Sequence, residues 1–471
     1  MKHYPTIKII SILILLSFAL SNRPCGAEGQ IVTLTQALKT AFRHNPSIEA
    51  SRYQVAALDA MVDQATSAYL PRFSNTTNYY RVGGDLPGMV GGLFQNISRQ
   101  SGAAGFPALD SPLNIYNTNF FVSQHLYDFG KTSGNLENSQ QRLAAGRKDL
   151  DKSIADVICD VKAAYFEMLR KTRRVRVAKE SLNTYDKHHE QAQALFNAGL
   201  RPKIDVTKSL VDSAKSKLRL IKAEFAVRSA KVDLENIIGG PPVEGKYALA
   251  GIQALPGMPT EVGPLVQEAL RNRAEIASLK NRIKAAEAQL MAVASDYWPT
   301  VSANGGYGWA SSEFPLKDYW VAGVSLKWEI FSGFKTRGKE KESEASLGKL
   351  KANLRKMELE VNREVLKAFI GVNESNETIE TAKMALREAK ENMELAQGRY
   401  GTGVSDAIEF ADAEMALTLS KNDLVDATYG YLRDLARLEH AVGNWRQWSC
   451  VSSGTSYNAS VKKKVDADKF Q

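Results

Sequence analysis

Three acids stand close together late in the chain. Asp406, Glu409 and Asp412 follow a Tyr400-Gly-Thr-Gly403 turn signal. Glu409 and Asp412 are three residues apart, so on a helix they share one face. Carboxylates gathered round a narrow passage draw cations and let mutual repulsion or a divalent ion control it. At an ordinary solvated helix start they would only stabilise the helix dipole, by about 0.3–1 kcal/mol. The histidines offer less. His188 and His189 are adjacent, hence about 100° apart on a helix, and cannot chelate as an i, i+4 pair would; both are expected on a helix surface. His44, His125 and His440 have no acid or nucleophile partner recognisable from the sequence. The chain has no phosphate loop, zinc spacing or serine elbow. No enzyme activity, cofactor or metal is expected.

The elements that carry these residues are bounded first by the chain ends. Lys2 and Lys8 flank the start of an apolar run, Ile9 to Leu20, which is too short to span a bilayer. A small-residue site follows at Cys25-Gly26-Ala27. Residues 1–27 therefore read as a secretory signal, with Glu28 as the first mature residue. Asn22-Arg23-Pro24 is a poor lipobox, which argues against lipidation of Cys25. Removing Lys2, Lys8 and Arg23 lowers the formal charge from +9 to about +6. The remaining bases alternate with acids, so nucleic acid is not an expected partner. Beyond the signal no apolar run reaches ~18 residues; a chain like this could enter a membrane only as a closed β-barrel. Cys159 and Cys450 could form a disulfide in an oxidising compartment, although their spacing alone does not establish it. From Val451 the tail is Ser-rich and then Lys-rich, and is expected to be disordered.

An internal duplication organises the rest. Leu34-Thr-Gln-Ala-Leu returns as Leu265-Val-Gln-Glu-Ala-Leu, and Tyr69-Leu-Pro as Tyr297-Trp-Pro. Leu126-Tyr-Asp-Phe-Gly-Lys returns as Ile330-Phe-Ser-Gly-Phe-Lys, and Phe196-Asn-Ala-Gly as Tyr400-Gly-Thr-Gly. Pro71 and Pro299 are 228 positions apart, whereas Leu126/Ile330, Phe196/Tyr400 and Gly239/Gly443 are each 204 apart. The first copy thus carries about 24 extra residues between Pro71 and Leu126, in Gly/Pro-rich text that reads as loop. The copies are assigned to 28–250 and 251–450. Each reads as helix, strand, loop, strand, very long helix, turn, helix.

The strands show a period of two. From Tyr319 to Phe331 one face is Trp320, Ala322, Val324, Leu326, Trp328 and Ile330; the other is Val321, Gly323, Ser325, Lys327 and Glu329. A greasy face opposite a polar one suits a wall between lipid and water, and tryptophans at its two ends suit the interfaces. Taken alone, the pattern also fits a soluble sandwich strand. Phe73–Val82, Asn117–Tyr127 and Val301–Trp309 alternate more weakly. The helices follow heptads instead: Ile154, Val157, Val161, Ala164, Met168, Lys171, Val175, Ala178, Leu182, Tyr185, His189, Ala192 and Phe196.

Residue counts then constrain assembly. The long helices, about Lys131 to Phe196 and Lys335 to Tyr400, are each about 98 Å long. The shorter ones, Leu34–Tyr69 and Ile204–Ile238, are near 53 Å, so two stacked end to end match one long helix. Four strands cannot close a barrel, and an open edge is intolerable in lipid. Three copies would supply twelve strands and room for a pore.

In these repeated motifs, over about Gln30 to Gly443, the chain resembles the TolC-like outer-membrane efflux family. The resemblance implies a mixed α and β fold. It would be a homotrimeric twelve-stranded β-barrel, with four strands per protomer, continuous with a long α-helical coiled-coil tunnel in the periplasm. It also implies an exit duct in the outer membrane, surrounded by outer-membrane lipid and served by a periplasmic adaptor and an inner-membrane transporter. Trp320, Val324, Leu326 and Trp328 would face lipid. Phe196, Gly199, Leu200, Gly403 and Val404 would form the adaptor-contact tips. Asp205, Tyr400, Asp406, Glu409 and Asp412 would lie at the pore entrance. The family can carry a locking arginine where this chain has Ser405; Arg201 and Lys203 lie on the opposite tip, and one of them is expected to pair with Glu409 or Asp412. The competing reading is a periplasmic coiled-coil scaffold or adaptor that never enters a membrane.

Overall fold

A computed structural model of the chain describes residues 30–82, 113–243, 245–252 and 254–444. The signal segment with Cys25, the Gly/Pro-rich insertion beyond Val82, Cys450 and the tail lie outside the described residues.

The elements, in order, are β1 (Gln30–Val32), α1 (Leu34–His44), α2 (Pro46–Thr66), β2 (Arg72–Val82), β3 (Leu113–Tyr127), α3 (Lys131–Asn197), α4 (Lys203–Ile238), β4 (Tyr247–Leu249), α5 (Val262–Asn272), α6 (Ala274–Ala294), β5 (Thr300–Ser311), β6 (Lys317–Lys327), α7 (Lys335–Gly401) and α8 (Ala407–Val442). The two long helices are 67 residues each and the two returning helices 36 each. No described helix is long and apolar enough to cross a membrane.

The helix expected over Leu34–Tyr69 is broken. Asn45 is extended (φ −71°, ψ 122°) because Pro46 follows it, and the residue before a proline is driven out of the helical region. Its copy breaks at Arg273 (φ −61°, ψ 124°) with no proline to force it. Side chains serve both breaks. Asn45 Nδ2 donates to the Ile237 carbonyl at 2.7 Å. Arg273 Nη1 donates to the Ala441 carbonyl at 3.2 Å. Ile237 and Ala441 are themselves 204 positions apart, so the two copies satisfy the same late carbonyl of the returning helix with different side chains. At the first break Gly239 holds φ +89°, and an added Cβ would lie 2.3 Å from the His44 carbonyl oxygen, so only glycine fits.

The chain divides into two compact units that do not coincide with the two repeats. One comprises residues up to Asn45, Asp160–Gly257 and Thr378–Arg433; the other comprises Pro46–Cys159, Met258–Glu377 and the residues from Asp434. In the first, β1 pairs in parallel with β4. The Tyr165 hydroxyl ties both strands to α3, donating to the Ala250 carbonyl at 2.8 Å and lying 3.1 Å from that of Val32. These three-residue strands carry no readable alternation and were not expected.

The second unit holds the main sheet, antiparallel in the order β2-β3-β5-β6. Residues directly opposite across an antiparallel ladder lie on one face. One face gathers Phe73, Phe120, Val122, Tyr307, Trp320 and Val324; the other gathers Ser74, Thr76, Asn119, Ser123, Asn304 and Ser325. Trp320, Val324 and Leu326 are 75, 71 and 64% exposed. The outer edges of β2 and β6 pair with no described strand. The strand expected to reach Phe331 ends at Lys327, because its partner β5 begins opposite it at Thr300. Trp328 is therefore not on the strand, and its indole N–H donates to the Tyr297 carbonyl at 3.1 Å.

Candidate functional site

Each long helix ends at a tight turn into its returning helix. Gly199 (φ +75°) and Gly403 (φ +81°) occupy the same left-handed position, 204 residues apart. Gly199 N–H donates to the Phe196 carbonyl and Leu200 N–H to that of Leu195; Gly403 and Val404 repeat this with Tyr400 and Arg399. Both turns therefore present an apolar residue outward: Leu200 is 71% and Val404 70% exposed, with Phe196 at 37%.

The entrance residues divide into two groups. Glu409 and Asp412 are exposed on α8, and Glu409 is held at 3.1 Å by Arg399. Asp406 acts as the cap of α8. One carboxylate oxygen accepts from the Ile408 and Glu409 amides, both at 3.0 Å. The bond from the Glu409 amide, opposed by desolvation and helped by that from Ile408, keeps its pKa below the ordinary carboxylate value. Asp205, in the first turn of α4, is buried and lies 3.9 Å from Arg201.

Several expectations need correction here. Tyr400 does not line an open surface: it is 1% exposed. Burial, and then the Asp205 charge, raise its pKa, with Arg201 opposing. Arg201 pairs with neither Glu409 nor Asp412 within the chain. It donates to the Ser405 carbonyl at 2.6 Å, and its guanidinium stands 5.0 Å from the Tyr400 ring centre. Arg201 thus reaches from the first tip to Ser405 at the second. Lys203 is exposed.

The histidines differ from expectation as well. The buried line along the lower part of α3 is Val177, Ser181, Tyr185, His188 and Ala192, not the line through Leu182, His189 and Phe196. His188 is 3% exposed rather than on the surface. His189 pairs with the Ser209 hydroxyl at 2.9 Å. His125 lies 2.9 Å from Asp128, and His440 2.7 Å from Asp156. Both therefore have an acid partner: that of His440 lies 284 positions away in the chain, whereas that of His125 stands only three residues on. The Cys159 thiol donates to the Ala436 carbonyl at 3.9 Å.

The chain thus carries two helical hairpins with glycine tips and a four-stranded sheet with one greasy and one polar face. The model of the outer membrane efflux protein family matches residues 37–240 and 265–444, and the chain belongs to that family. It is 22% identical to nodulation protein T of Rhizobium leguminosarum bv. trifolii over 68% of this chain and 70% of that protein. It is 21% identical to outer membrane efflux protein BepC of Brucella suis over 86% of each. The Campylobacter jejuni CmeC outer membrane channel superposes with a TM-score of 0.76 at 14% identity, covering 88% of this chain and 86% of that one. The protein is an outer-membrane exit duct for export, reaching into the periplasm.

Proposed function

We propose that three copies of this chain close one twelve-stranded barrel, four strands from each. The assembly is the passive outer-membrane duct of a tripartite efflux pump or a type I secretion system. The observation that carries this reading is the main sheet: four strands, an exposed greasy face and two edges that pair with no described strand. In lipid such edges must find partners. A second copy on each side supplies them, and three copies leave a lumen. The polar face of Ser74, Thr76, Asn304 and Ser325 then faces water, and Trp320, Val324 and Leu326 face lipid. A soluble scaffold has no use for this sheet.

The helices favour the same neighbour. Ile204, Val211, Leu218, Phe225 and Val232 recur every seventh residue on α4 and are 58, 46, 51, 60 and 64% exposed. A heptad stripe of this kind is built to receive another helix, and in the trimer that helix belongs to the adjacent subunit. Leu200 and Val404 at the tips are the surfaces for a periplasmic adaptor, which couples the duct to an inner-membrane transporter.

The exposed carboxylates of Glu409 and Asp412 form the charged ring of the entrance. Purified protein in planar bilayers is expected to give a cation-selective conductance. The double variant Glu409→Gln, Asp412→Asn should lower the cation-to-anion permeability ratio severalfold, because it removes six carboxylates from the trimer and releases Arg399 from its pair. Absence of channels would refute the duct, and unchanged selectivity would remove the ring.

A further inference from the structure

The two hairpins of one chain meet, behind the tips, at a buried aromatic cluster with unpartnered polar atoms. His188 of α3 lies flat against Phe410 of α8, with ring centres 3.9 Å apart and planes 10° apart. It meets Tyr400 of α7 edge-on at 4.5 Å. Neither imidazole nitrogen has a hydrogen-bond partner, and neither does the Tyr400 hydroxyl. Tyr400 is in turn the ring over which Arg201 stands while it grips the Ser405 carbonyl. The chain of contacts therefore runs from His188 through Tyr400 to the one cation that crosses from the first tip to the second among the described contacts.

A neutral imidazole serves here as an aromatic plate. An imidazolium brings a charge and two N–H donors, and neither ring nitrogen has an acceptor in hydrogen-bond reach. The surrounding groups are few. From α4, Asp212 and Asp205 attract a positive ring, and His189, next to His188 on α3, opposes it. From α7 comes the Tyr400 hydroxyl, and from the tip the Arg201 cation. Arg399 and Glu409 are paired with each other, Asp186 accepts from Ser213, and Glu414 of α8 is bonded to Thr418. Burial outweighs the aspartates and brings the His188 imidazole down from its ordinary 6.5 to about 4.

The geometry points to His188 as a positioning residue of the entrance: its uncharged ring holds Tyr400 under Arg201, and protonation releases the clamp between the two hairpin tips. The proposal rests on the exit-duct reading above. Its sign follows from linkage. In the released state the ring titrates near 6.5, and in the clamped state near 4. The clamp is therefore intact above pH 6.5 and loses ground steadily as pH falls toward 4. At pH 5 the ratio of clamped to released tips should be about 20-fold lower than at pH 7.

The test is single-channel recording of the full-length protein in bilayers between pH 7.5 and 4, for the native chain, His188→Phe and His188→Gln. All three carry the same entrance acids, so any acid-ring titration is common to them. The native channel should open increasingly below pH 6.5. Both variants should lack that component, and Gln serves if Phe disturbs assembly. A native profile flat with pH, or variants that follow the native profile, would overturn the clamp while leaving the duct intact. A native protein that makes no channel at any pH would instead overturn the duct.

Discussion

Val324→Arg is expected to abolish assembly in the outer membrane, whereas Gly323→Arg, one residue earlier, should assemble. Val324 lies on the greasy face of β6 and is 71% exposed. If that face meets lipid, an arginine near the middle of the strand costs about 2–4 kcal/mol per subunit. A trimer would bear that cost three times over. Gly323 points to the opposite face, and a Cβ added there meets nothing within 4 Å. Its arginine would extend into a water-filled lumen. Heat-modified gels of outer-membrane fractions report the assembled species directly. Equal assembly of the two variants would mean that both faces of β6 see water.

Arg273→Ala should be the most damaging single change outside the membrane. Arg273 is 5% exposed. It binds Glu364 at 2.8 and 2.9 Å, Glu275 at 3.1 Å and the Ala441 carbonyl at 3.2 Å. Removing it strands the largely buried Glu275 and a helix-end carbonyl at a break that no proline enforces. Loss of one partner from a buried pair costs about 3–5 kcal/mol; because Glu364 stays partly exposed, about 3 kcal/mol is expected. Asn45→Ala, at the equivalent position, loses the neutral hydrogen bond to the Ile237 carbonyl, worth about 1 kcal/mol, and strands no charge. Thermal loss of helical circular dichroism in detergent compares them. The claim fails if Arg273→Ala melts no lower than Asn45→Ala.

The features legible in the sequence were those encoded locally. A left-handed turn demands glycine, so the spacing of Gly199/Gly403 and Gly239/Gly443 located the tips and the helix ends of both copies. Period-two alternation located the main strands, and residue counts gave the long helices to within two residues. What escaped notice depends on three-dimensional neighbours. On a long helix the neighbours Ser181/Leu182 and His188/His189 leave the heptad register undecided, and packing against Phe410 and Tyr400 chose His188. The reach of Arg201 to Ser405 is a matter of side-chain direction. The break at Arg273 is served by carboxylate partners that lie two and 91 positions along the chain.

How many chains close the barrel decides whether this sheet can line a duct. Native mass spectrometry of the detergent-extracted protein measures this directly. Three times the mature chain mass is predicted, with dissociation to single chains on unfolding. A stable monomer that needs no detergent, or a complex of two or four chains, would contradict it.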